Sequence, residues 1–121
     1  MRVAPEALLL LTLLGCGSDA TEPPLATPPD VLIVSGASGQ GANAYDPSPF
    51  VISLASKTTV KWRNNDPTVP NHTITADAGA FTSSGSLADG ETFTATFTVA
   101  GTYTYHCSVH PTMTGIITVN P

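Results

Sequence analysis

The chain has 121 residues, room for one modest core and hardly for two. Only 11% of it is charged, and four Lys and Arg against nine Asp and Glu give a formal net charge of −5, which argues against nucleic acid as a partner because no cluster of cations is present to neutralise phosphates. Eleven prolines and ten glycines, with abundant threonine, favour strands and turns over helices.

The first element is a leader. Arg2 supplies a positive start, residues 7–14 an apolar run and Gly15 a small end, which is the layout of a secretory signal peptide over residues 1–15. The run is too short to span a bilayer as a mature helix. Its ending, Leu13-Leu14-Gly15-Cys16, resembles the bacterial lipobox, which implies cleavage before Cys16 and acylation of that cysteine. An ordinary signal peptide cut nearby would instead leave Cys16 as a free thiol. Residues 16–30 carry Pro23, Pro24, Pro28 and Pro29 with little to bury, so they read as an extended tether reaching roughly 40 Å at about 3.1 Å per residue.

The domain is expected over residues 31–121, and its hydrophobic period is two. Residues 31–34 form a short apolar strand. Phe50, Ile52 and Leu54 alternate, as do Val60 and Trp62 with Lys61 and Arg63 facing out. A turn-rich stretch, Asn64-Asn65-Asp66-Pro67, leads to His72 at the start of another short strand. Residues 91–99, ETFTATFTV, place Phe93, Ala95, Phe97 and Val99 on one face and threonines on the other. Residues 102–107 put Tyr103, Tyr105 and Cys107 on a common face, with Tyr103 available for a tyrosine corner, and residues 116–119 close the chain. About seven or eight short strands separated by frequent turns imply an all-β, Greek-key β-sandwich.

Residues 105–113 read YHCSVHPTM. Cys107 ends a strand with its side chain inward, and His110 and Met113 follow in a loop, since a strand would send residues three apart to opposite faces. Pro111 prevents a helix there by restricting His110 to extended conformations. All three side chains can therefore turn back to one point at the rim of the sandwich, and His72 is the candidate for a fourth. A thiolate, two imidazoles and a thioether form the donor set of blue-copper sites. Zinc is disfavoured by the methionine, because zinc sites take thiolate, imidazole or carboxylate. A disulfide between Cys16 and Cys107 is disfavoured because Cys16 lies on the tether.

Residues 101–119, GTYTYHCSVHPTMTGIITV, with an upstream histidine after TTVKWRNND, resemble the cupredoxins, the small blue copper proteins, and the short Cys-x2-His-x2-Met loop is most similar to amicyanin. The resemblance implies one copper ion cycling between Cu(I) and Cu(II), held by His72, Cys107, His110 and Met113. It implies redox protein partners docking near His110, over an apolar patch to which Pro70 and Pro111 are suited. Family members often carry an asparagine directly after the first histidine to brace the ligand loop. Here Thr73 follows and Asn71 precedes, which makes the Thr73 hydroxyl or backbone the expected donor to the Cys107 sulfur. His106 faces outward beside Cys107 and is either a solvated residue or a second exit for electrons.

Two functions fit these residues. One is a monomeric electron carrier, not an enzyme, attached by Cys16 to a membrane at the periplasmic or extracellular face. The other is a copper storage or delivery protein of the envelope. The cysteine thiolate favours the first, because a donor protein would more often use methionine and histidine and let the metal exchange.

Overall fold

The computed structural model describes residues 26–121. The expected leader, the acylated Cys16 and the first part of the tether lie outside the described residues. The described chain forms eight strands: β1 (Val31–Ile33), β2 (Tyr45–Asp46), β3 (Phe50–Ser53), β4 (Thr59–Asn64), β5 (Thr75–Ala76), β6 (Thr92–Thr96), β7 (Gly101–His106) and β8 (Thr114–Asn120). Three single turns of 3-10 helix, at Ala37–Gly39, Gly41–Asn43 and Asp77–Gly79, are the only helical elements among the described residues.

The strands make two four-stranded sheets, in the orders β2-β1-β4-β6 and β3-β8-β7-β5. Antiparallel pairs predominate, but β1 runs parallel to β4 and β3 parallel to β8. Alternation in the sequence accounts for the packing. In β4, Val60 and Trp62 are fully buried while Arg63 is exposed, and in β8, Ile117 and Val119 turn inward between Thr114 and Asn120, which face out. Each apolar side chain buried in this way contributes about 1.5–3 kcal/mol.

Trp62 sits at the centre. Phe81 stacks on it with ring centroids 6.1 Å apart, and its indole Nε1 donates to the Tyr105 hydroxyl at 3.1 Å. Tyr105 lies over Gly115, its partner across the β7–β8 ladder, where a Cβ would stand 2.3 Å from the ring. Glycine is the residue that this approach admits. The Tyr103 hydroxyl donates to the Val99 carbonyl at 2.7 Å, making the tyrosine corner.

In places the strands depart from the alternation of the sequence. β6 ends at Thr96, and Val99 is 64% exposed instead of continuing the buried face, because the chain leaves the sheet there and offers its carbonyl to Tyr103. Tyr45–Asp46 pairs with β1, although two residues are too few to show a period. His72 makes an isolated bridge to Leu87 instead of opening a strand.

Candidate metal centre

The β7–β8 hairpin carries three of the expected donors. Its ladder ends at the His106–Thr114 pair, and Cys107 N–H then donates to the Met113 carbonyl at 3.1 Å, so the loop between them is cinched at its base. Within the loop, Met113 N–H returns to the His110 carbonyl at 2.9 Å, closing a four-residue turn with Pro111 at the second position, where its fixed φ suits the turn. Cys107 and Met113 are fully buried, while His110 is half-buried.

His72 comes from the connection between β4 and β5, and its backbone is held by two hydrogen bonds to Leu87, at 3.1 and 2.8 Å. Its side chain is fully buried. The Cys107 Sγ stands 3.9 Å from His72 Nδ1 and 3.9 Å from His110 Nδ1. Ligand atoms of the three residues all lie within 4.8 Å of one another. Zinc bonds the same donors at roughly 2.0–2.3 Å, so one ion of similar size is able to bridge sulfur and nitrogens at these separations. The donors fit a single metal, and a thiolate with two imidazoles suits copper.

Thr73 ties the two parts of the site together. Its N–H donates to the Cys107 sulfur at 3.4 Å, while its hydroxyl accepts the Ser108 N–H at 2.8 Å and lies 2.8 Å from the Thr75 hydroxyl. Its carbonyl accepts the Tyr45 hydroxyl at 2.8 Å. The backbone thus supports the sulfur, and the side chain braces the ligand loop. Asn71 is exposed and takes no part in these hydrogen bonds. His106 is half-exposed on β7, with Nδ1 2.6 Å from Asp77 Oδ1. Hydrogen bonds from Thr104 and His106 hold the Asp77 carboxyl below the usual carboxylate range.

Asp66 was not anticipated. It is fully buried, with Oδ2 2.8 Å from His72 Nε2, and Asn64 accepts its N–H at 3.0 Å. Burial works to raise its pKa, but hydrogen bonds from Thr68, Gly36 and His72 outweigh burial and keep the carboxyl well below the ordinary range. Tyr45 and Tyr105 are pushed far above the ordinary tyrosine value, chiefly by burial. The only sequence signal for Asp66 was its place in a turn-rich stretch six residues before His72.

The model of a family of copper-binding proteins, the plastocyanin/azurin family, matches residues 33–120. Among solved structures, a novel purple cupredoxin from Nitrosopumilus maritimus is 29% identical, with a TM-score of 0.66 over 77% of this chain and 100% of that one. A copper-containing nitrite reductase from Thermus scotoductus SA-01 is 28% identical, with a TM-score of 0.60, over 78% of this chain but 22% of that one. The oxidised state of a mutant of amicyanin is 26% identical, with a TM-score of 0.45, over 60% of this chain and 83% of that one. A family match across almost the whole sandwich, with His72, Cys107 and His110 gathered for a single copper ion, shows that the chain belongs to the plastocyanin/azurin family of copper-binding proteins, the cupredoxins.

Proposed function

We propose that this copper-binding electron-transfer protein is a one-electron shuttle of the bacterial cell envelope, with His72, Cys107, His110 and Met113 as its metal ligands. The observation that carries the reading is the position of the buried Cys107 sulfur, 3.9 Å from Nδ1 of each histidine and supported by the Thr73 N–H. Copper, when bound, supplies the Cu(I)/Cu(II) couple.

The protein's part is to keep the donors still while charge changes. Cys107 and Met113 are locked by the hydrogen bond at the base of the loop, and His72 by Leu87 and Asp66. Met113, buried on that loop, would offer its thioether sulfur as a further, weaker donor beside the thiolate and the two imidazoles. His110 is the least buried of the four, so electrons enter and leave through its ring. Val109, which is 53% exposed, and the exposed Pro111 flank it in the chain and offer redox partners an apolar rim, and Pro70, two residues before His72, is exposed as well. The acidic remainder of the domain adjusts encounter rates more than affinity.

A carrier attached by an acylated Cys16, with residues 16–30 as spacer, would move as a monomer over a membrane at the periplasmic or extracellular face. Replacing Cys16 by Ser should block processing or release the domain from membranes without changing its metal centre. Repeated reduction and reoxidation beside an excess Cu(I) chelator tests the carrier role. A shuttle keeps its copper through many cycles, whereas loss of the ion at the first reduction would support storage or delivery instead.

A further inference from the structure

Asp66 is a carboxylate with no exposed surface, placed between the turn after β1 and the segment that carries His72. Burying an ion is costly unless hydrogen bonds replace its water. Five donors do so here. Gly36 N–H at 2.9 Å, Thr68 N–H at 3.0 Å and the Thr68 hydroxyl at 2.5 Å meet Oδ1, while Ala37 N–H at 3.1 Å and His72 Nε2 at 2.8 Å meet Oδ2.

Three of these groups are backbone N–H and can only donate, so they require an acceptor at this spot. Gly36 adopts the left-handed conformation, φ 72 and ψ 23, and Ala37 begins a helical turn. That sequence of conformations points successive N–H groups at one place, the arrangement of an anion-binding nest. Here the anion is the protein's own side chain. With the carboxylate accepting, Nε2 of His72 carries the imidazole proton, and Nδ1 keeps its lone pair on the side of the Cys107 sulfur. His110 has no carboxylate within salt-bridge distance among the described residues.

We infer that Asp66 is a positioning residue of the copper centre, fixing which nitrogen of His72 faces the metal and holding a negative charge one imidazole away from it. The charge favours Cu(II) over Cu(I) and lowers the reduction potential. The inference rests on the copper reading above.

Asp66→Asn removes the charge with little change of shape. It should weaken the preference for Cu(II) over Cu(I) by about tenfold, which a one-electron couple reads as a potential roughly 59 mV more positive. Gly36→Ala is the comparison, because a side chain at φ 72 strains the nest and leaves the charge in place. It should lower thermal stability and move the potential far less than Asp66→Asn does, because the carboxylate keeps its charge; a shift as large as that of Asp66→Asn would overturn the assignment of the effect to the charge. A copper-loaded Asp66→Asn protein whose potential stays at the wild-type value would show a purely structural role and overturn the inference. Should that variant not fold, nitrogen NMR of the wild-type Cu(I) protein decides. A His72 proton on Nε2, protected from exchange, supports the assignment; a proton on Nδ1, or a freely exchanging one, overturns it. A wild-type protein that takes up no copper would overturn the copper reading as well, and that result is distinct from an unmoved potential.

Discussion

Thr73 shows how much one side chain does at this site. Its N–H and hydroxyl have separate duties, the first on the Cys107 sulfur and the second on Ser108. Thr73→Val keeps the shape and the N–H but removes the acceptor for Ser108, so it should cost about 1 kcal/mol of stability while leaving the colour of the copper-loaded protein unchanged. Denaturant titration beside an absorption spectrum checks both halves. The grouping of Cys107 with His110 was legible in the sequence because the two crowd one short loop and each residue type is uncommon in this chain. Asp66 was not, since an aspartate in an Asn-Asn-Asp-Pro stretch has the composition of a solvated turn. Its burial depends on the Gly36–Ala37 turn, about thirty residues away in sequence, and no local pattern reports that contact.

Among the elements, the β7–β8 hairpin carries most of the site, and its geometry depends on Tyr105 lying across Gly115. A methyl at position 115 would stand 2.3 Å from the Tyr105 ring, a contact that cannot form without displacement. Tyr105 is held by Trp62 and packs edge-on against Tyr45 at 4.7 Å, so it has little freedom to yield. Gly115→Ala should therefore destabilise the fold by about 1–3 kcal/mol, the usual effect of overpacking, and shift the visible spectrum because the strain reaches Cys107, two residues beyond Tyr105 and just past the end of β7. Thermal melts of copper-loaded protein would test it, and an unchanged melting temperature would contradict it. Strands such as β4, β7 and β8 were legible because each has one buried face. The two-residue β2 and the parallel pairing of β1 with β4 were not, since both arise from chain crossings that alternation does not encode.

For the whole molecule, the core has a titration consequence at high pH. Tyr45 and Tyr105 keep their protons in the fold because burial raises both pKa values, while the unfolded chain ionises near the ordinary tyrosine value of about 10. The folded state then binds more protons, so stability is complete below pH 10 and declines above it by about 1.4 kcal/mol per pH unit for each tyrosine. Denaturation at a series of alkaline pH values should show that decline, with both buried tyrosines ionising only as the fold is lost. Tyrosinate absorbance from all three tyrosines near pH 10 in folded protein would contradict it. The central claim, however, is that the sandwich exists to hold one copper ion on the Cys107 sulfur between two imidazoles. The visible absorption spectrum of the oxidised, copper-loaded protein tests it most directly. The account predicts an intense blue or green colour that bleaches on one-electron reduction and is absent from Cys107→Ser. A colourless copper(II) complex of the wild-type protein, or a colour that survives in Cys107→Ser, would contradict it.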